Sequence, residues 1–206
     1  MWNKLKDTAV GRPSKPIITK ELAAKAALAV IDSQGIGGMS LQLVAQNLGV
    51  KAPSLYYHFK NKAELLTEVA RSLLTEARIS EKQHFEDWRE AISTLALATR
   101  KSILQHPKAA PLLLEFFPRH LMLKSYDYWV GKFDLPIEKR LLVIEGVEKL
   151  TFGSAMLGAM SRAGGKEPMP SFSPEQFPHL HAATAANELD ETAIFVATLK
   201  AFLNAF

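Results

Sequence analysis

Apolar residues recur at helical spacing along most of the chain, and strand-like alternation is nearly absent. Leu22, Ala23, Ala26, Ala27, Val30 and Ile31 form one stripe behind Thr19, a good N-cap, and Gly35 ends the helix they predict. Gly37 and Gly38 read as a turn. Ser40 then caps a predicted short helix, Leu41 to Leu48, with Gly49 as its C′ residue. Pro53 suits the first turn of a third helix running through Phe59. Asn61, with Glu64 three positions on, reads as a capping box opening a fourth helix that reaches about Arg78. Ahead of all this, residues 1–18, with Gly11, Pro13 and Pro16, read as a flexible arm.

From about His84 the pattern predicts a second, larger helical unit. One helix covers Phe85 to Gln105 and stops before Pro107. A short one follows over Lys108 to Phe117, and an aromatic-rich one over Pro118 to Phe133. A long helix is predicted from Ile137 to Arg162. Its apolar residues occupy much of the circumference, with Gly146, Gly153 and Gly158 interleaved, so it should be buried nearly all round with close backbone approaches. Ser173-Pro174-Glu175-Gln176 has the signature of a helix start, and Asp190 caps a last helix carrying Ile194, Phe195, Val196, Leu199, Phe202 and Leu203.

The segment Ser40 to Phe59, SLQLVAQNLGVKAPSLYYHF, has the spacing of a helix-turn-helix. Leu41, Val44, Leu48, Val50, Leu55 and Phe59 would lock its two helices, and Ala45 sits where they approach closely. With Leu55 and Phe59 supplying the buried face of the second helix, Lys51, Ser54, Tyr56, Tyr57 and His58 are left outward. A helix of this size fits the major groove, with its N-terminal end reaching base edges. Hydroxyls would reach phosphates or base edges, aromatic rings would pack on thymine methyls and sugars, and His58 would donate to a phosphate. Lys60 and Lys62 lead into the N-terminus of the next helix, an anion site for a backbone phosphate. Arg12 and Lys15 of the arm are placed to enter an adjacent minor groove.

Charge sharpens this picture. The chain has 206 residues and a formal net charge of +4, but residues 1–62 hold nine basic residues against three acidic, and the rest is close to balanced. A cationic head points to a polyanion for that part, although a solvated basic face would look the same. Hydrophobic residues at 48% exclude wholesale disorder. Cysteine is absent, which rules out disulfides and thiolate chemistry and fits a cytoplasmic setting. No apolar run reaches membrane-span length, and the polar, basic N-terminus is no secretory signal.

The run LGVKAPSLYYHFKNKAELL, Leu48 to Leu66, preceded by Ser40-Leu41 and Ala26-Ala27-Leu28, resembles the N-terminal domain of the tetracycline repressor (TetR) family. The resemblance implies that Ser54, Tyr56, Tyr57 and His58 lie on the recognition helix and that Lys62 clamps a phosphate. Gln42 and Ala52 fall where the family places further readers. With the residue chemistry above, the DNA-contacting set becomes Arg12, Lys15, Ser40, Gln42, Lys51, Ala52, Pro53, Ser54, Tyr56, Tyr57, His58, Lys60 and Lys62. The family further implies a helical C-terminal domain that binds a small effector and dimerises through a four-helix bundle. HFEDW at His84 to Trp88, LLLEFFP at Leu112 to Pro118, LTFGSAML at Leu150 to Leu157 and FPHL at Phe177 to Leu180 are similar to the tetracycline-repressor branch itself. That branch's drug site is not reproduced. Its polar contacts read Leu95 and Thr99, its metal histidine falls in Leu112-Leu113-Leu114, and its acidic residue is replaced near Leu157. No magnesium–tetracycline binding is therefore expected.

The expected architecture is all-α: an arm over 1–18, a three-helix helix-turn-helix DNA-binding domain over 19–66 with a linking helix to about 78, and a larger effector-binding and dimerisation domain over 79–206. The expected function is a dimeric repressor released from a palindromic double-stranded operator by a mostly hydrophobic molecule. The cavity for that molecule would be lined by Trp88, Leu95, Thr99, Leu113, Phe116, Phe117, Met122, Tyr126, Trp129, Phe152 and Met156, with Arg100, Glu148, Thr151 or Ser154 as scarce polar groups. An aromatic and Met stripe at helical spacing is more often plain core. No nucleophile motif, phosphate-cradling loop or metal-ligand spacing appears, His179 and His181 included, so neither catalysis nor a cofactor is expected. An activator, an effector-less regulator, or a carrier whose basic head is incidental are the competing readings.

Overall fold

The computed structural model describes residues 18–75, 85–165, 167 and 169–206, and every regular element among them is helical. Arg12 and Lys15 lie outside this set, as does the predicted end of the linking helix. The chain order is α1 (Lys20–Gly38), α2 (Leu41–Asn47), α3 (Ala52–Tyr56), α4 (Lys62–Thr75), α5 (Trp88–Gln105), α6 (Leu112–Glu115), a 3₁₀ turn (Arg119–Leu121), α7 (Leu123–Lys132), α8 (Ile137–Gly164), α9 (Pro178–Ala186) and α10 (Glu191–Leu203). No helix among the described residues is long and apolar enough to cross a membrane.

The head folds as its caps dictate. Thr19 Oγ1 accepts from Leu22 N at 3.1 Å, and Ser40 Oγ accepts from Leu43 N at 3.2 Å. Gly35 takes φ 76°, a left-handed conformation closed to most side chains, and breaks the helix there, although a last turn continues through Gly38. Asn61 Oδ1 accepts from Glu64 N at 2.9 Å, and the Glu64 carboxylate returns to Lys60 N at 2.6 Å, one residue earlier than in the standard box. The buried face of α1 is Ala23, Ala24, Ala26, Ala27, Leu28, Val30 and Ile31. Leu22, expected inside, lies at the rim instead. The small alanines let α4 lie close along α1, and this core runs on without a break into Ile103, Ala109, Ala110, Leu112 and Leu113 and the end of α8 at Ala155 and Ala159.

In the body, α5, α8 and α10 stack around a second core containing Ile92, Phe133, Val143, Val147, Phe195 and Leu199. Two glycines of α8 serve this packing: a Cβ at Gly146 would run into the Phe202 ring, and one at Gly158 into Glu191 and Arg162. Gly153 faces open space. Three expectations need correction. The α8 helix is not buried all round, since Leu141, Leu142, Leu157 and Met160 are exposed. The Pro118–Phe133 stretch is a 3₁₀ turn followed by a shorter helix. The cap at Ser173 closes only a turn, with its hydroxyl accepting from Gln176 N at 3.2 Å. Pro178 explains the last point. It pushes Phe177 out of helical conformation (φ −131°, ψ 60°), so the helix begins at the proline itself.

Candidate nucleic-acid interface and the helical cavity

The α2–α3 unit is held from beneath. Leu55 is 0% exposed and Phe59 lies beside it in the head core with Val44 and Ala45. Gly49, at φ 65°, makes the left-handed turn that reverses the chain, and Val50 N donates to Ala45 O at 2.9 Å across it. With Leu55 committed inward, its neighbours on this short helix have nowhere to go but out. Tyr57 is 89% exposed and Tyr56 56%. Lys51, Pro53, Ser54 and Lys60 are exposed beside them, and Ala52 and His58 are half-buried. The Tyr57 and His58 rings meet edge to face with centroids 5.3 Å apart. Gln42 is exposed on α2 and Ser40 is half-buried, its hydroxyl spent on the cap.

Lys62 has a second occupation that the motif does not reveal. Its ammonium donates to Met39 O at 2.7 Å and to Ile36 O at 3.4 Å, tying the start of α4 to the α1–α2 corner. One of its three N–H donors is left over by these two bonds. Long-range pairing of this kind leaves no trace in sequence spacing.

A cavity of about 330 Å³ opens between α4, α5, the 3₁₀ turn, α7 and α8. Of the predicted lining, it brings together Leu95, Thr99, Phe117, Met122, Tyr126, Trp129 and Phe152. The other four lie elsewhere. Trp88 tilts against Phe133 at 4.8 Å, under Arg89. Leu113 is head core, and Phe116 and Met156 pack against that same core. Glu148 and Thr151 are lining polar groups. Arg100 and Ser154 are not: the Arg100 guanidinium, 2% exposed, donates to Ser154 Oγ at 2.8 Å and Glu191 Oε1 at 2.6 Å, bracketing α5 to α8 and α10. Sequence reasoning missed Arg71 and Leu74, which line the cavity from α4. Their positions read as those of an ordinary linker.

The polar edge of the cavity is a clasp between α7 and α8. Tyr126 Oη donates to Glu148 Oε1 at 2.5 Å, and Arg119 donates to Glu148 Oε2 at 2.9 Å and to Glu145 Oε1 at 3.0 Å. Burial, and then the Glu148 carboxylate, push the Tyr126 hydroxyl well above its ordinary pKa. Arg71 bonds Glu68 on its own helix and lies 3.9 Å from Glu21 of α1. A buried hydroxyl, Ser102 Oγ, donates to Leu73 O at 2.8 Å, so α4 is fastened to α5 beside the cavity.

Comparison with known proteins places this geometry. Residues 24–69 match the model for bacterial regulatory proteins of the tetR family. The chain is 25% identical to the class E tetracycline repressor protein of Escherichia coli over 134 residues, 63% of this chain and 64% of that relative. The match thus spans a little less than two thirds of that relative's length. In fold the chain is similar to a TetR transcriptional regulator from Streptomyces coelicolor (TM-score 0.74, 20% identity, covering 91% of this chain and 97% of that one). It is also similar to a single-residue variant of TetR from Acinetobacter baumannii in complex with minocycline (TM-score 0.64, 20% identity, covering 91% and 98%).

Proposed function

We propose that this chain, whose residues 24–69 match the model for bacterial regulatory proteins of the tetR family, is a homodimeric transcriptional repressor that releases a palindromic operator when a mostly hydrophobic effector fills the cavity. The observation that carries DNA binding is Tyr57, a large aromatic side chain held almost wholly in solvent by a helix whose other face is sealed. Leaving it there has a cost in exposed apolar surface that a groove contact would recover. Ser54, Lys51 and Lys60 beside it match phosphate oxygens. Gln42, Pro53, Ala52, Tyr56 and His58 complete the face, and Lys62 adds its remaining N–H.

Dimerisation is supported by what α8 and α10 leave uncovered. Leu157 is 69% exposed, Met160 and Leu142 are exposed on the same helix and Ile194 on α10, and a Cβ at Gly153 would meet open space. A second copy packing there would bury an apolar stripe on two long helices and set two recognition helices a fixed distance apart. The α9 arm, exposed throughout, fits the same assembly.

Effector control is supported by the position of α4. The helix that leaves the helix-turn-helix also lines the cavity, through Arg71 and Leu74. Filling the cavity would therefore bias the head's orientation, and DNA would weaken effector binding by the same factor. The minocycline complex of a fold neighbour holds a small molecule on a related scaffold, but magnesium–tetracycline is not expected here. Leu112 and Leu113 of the stretch where that branch keeps its metal ligand are core residues.

The decisive measurement is a gel shift on the DNA upstream of the chain's own coding region, titrated with salt. Specific retention is expected, with log affinity falling by about 0.9 per phosphate neutralised. A chain that shifts no duplex selected from a random pool would overturn the reading.

A further inference from the structure

The cavity's charge and hydrogen-bond inventory names its ligand more closely, an inference that rests on the effector reading above. Three ionisable side chains of fixed charge line it: Arg71, Lys124 and Glu148. Glu148, the only carboxylate among them, already has both oxygens occupied, by Tyr126 and Arg119. Arg71 is engaged by Glu68. Lys124 makes no hydrogen bond or ion pair among the described residues. Thr151 lines the same space, is 3% exposed, and its hydroxyl has no partner among the described residues. A buried hydroxyl without a partner is costly and calls for a bonding atom from outside the chain.

The lining therefore offers an unpartnered hydroxyl and a surplus cation, with its one carboxylate already paired on both oxygens. A negative head that accepts hydrogen bonds complements this set, whereas an ammonium would meet an unpaired cation and a carboxylate that is already paired. The remaining walls are apolar, among them Leu95, Phe117, Trp129 and Phe152. We propose that the cavity takes a monocarboxylic acid with an apolar body, its carboxylate paired by Lys124 and hydrogen-bonded within the donor set that includes Thr151.

Three probes of one length and different heads test this on the full chain by calorimetry at neutral pH: octanoate, 1-octanol and octylammonium. Octanoate is expected to bind about tenfold more tightly than octanol, the worth of one charge-assisted hydrogen bond, with octylammonium weakest. Lys124→Gln, at an exposed position whose replacement leaves the fold intact, should erase the octanoate preference and leave octanol unchanged. Lys124→Glu should invert the order in favour of octylammonium. Thr151→Val should weaken octanoate several-fold without lowering thermal stability, a combination that a merely structural hydroxyl would not produce. Octanol binding as tightly as octanoate, or a Lys124→Gln protein that keeps the preference, overturns the acid reading and leaves the effector cavity standing. Failure of all three probes to bind, with the operator shift intact, overturns the acid and the effector together and leaves DNA binding untouched.

Discussion

The head and the body of this molecule are built from the same element, a short or long amphipathic helix, yet they use it differently. In the head each helix has one inward face, α1, α2 and α4 each start on a side-chain cap, and side chains not needed inside are left in water. Tyr56 and Tyr57 are outward because Leu55 and Phe59 are inward. In the body each long helix has apolar residues on several faces, and these are divided among a core, a cavity and an uncovered stripe. On α8 alone, Val143 is core, Phe152 is cavity wall and Leu157 is open surface. A recognition surface can thus be produced locally, whereas a binding cavity is a space that several helices agree to leave empty.

Breaking the body's open stripe should have the largest effect on function. Leu157→Asp with Met160→Asp is expected to yield a monomer by analytical ultracentrifugation and to lower operator affinity by roughly 10²–10⁴-fold, the avidity lost with the second half-site. A variant that stays dimeric would move the interface elsewhere. Next is the bracket inside the body. Arg100→Ala removes the donors that Ser154 and Glu191 now share, although Glu191 keeps Arg162, and should cost about 1–3 kcal/mol in urea unfolding, while Arg100→Lys, lacking the planar fork, recovers only part.

Effects in the head are smaller and more selective. Tyr57→Ala should weaken the operator complex by about 1–3 kcal/mol and change thermal stability by no more than about 0.5 kcal/mol. Wild-type affinity in that variant would remove the residue from the interface. Lys62→Met sharpens the contrast furthest, because its ammonium is tied into the fold and is also proposed to meet a phosphate. Losing the carbonyl bonds to Met39 and Ile36 should destabilise the head by about 1 kcal/mol. Losing a phosphate contact should flatten the salt dependence by about one unit. A stability loss with an unchanged slope would assign Lys62 to holding the α1–α2 corner alone.

The two regions also differ in how far they could be read in advance. Thr19, Ser40, Asn61 and Asp190 cap the helices they were expected to cap, and Gly35 and Gly49 adopt the positive φ their positions demanded. These are contacts over three or four residues, within reach of local spacing. Ser173 misled because Pro178, five positions on, overrode its signal. In the body, Trp88, Leu113, Phe116 and Met156 have the same composition as the residues that line the cavity, and nothing along the chain separates the two groups. Arg71 and Leu74 went unseen for the converse reason, since they belong to a helix that reads as a connector.

The order of residues by itself determined the helical content, the caps and turns, and which face of the helix-turn-helix meets solvent, since each is settled by backbone preferences and by burial within one or two turns. Only the tertiary structure decided that Lys62 closes the α1–α2 corner, that Arg100 is a bracket rather than a binding group, and that Glu148 enters the cavity already neutralised while Lys124 does not. Those outcomes depend on atoms brought together from separate helices, where pairing and desolvation act across distances in space that carry no signature in sequence.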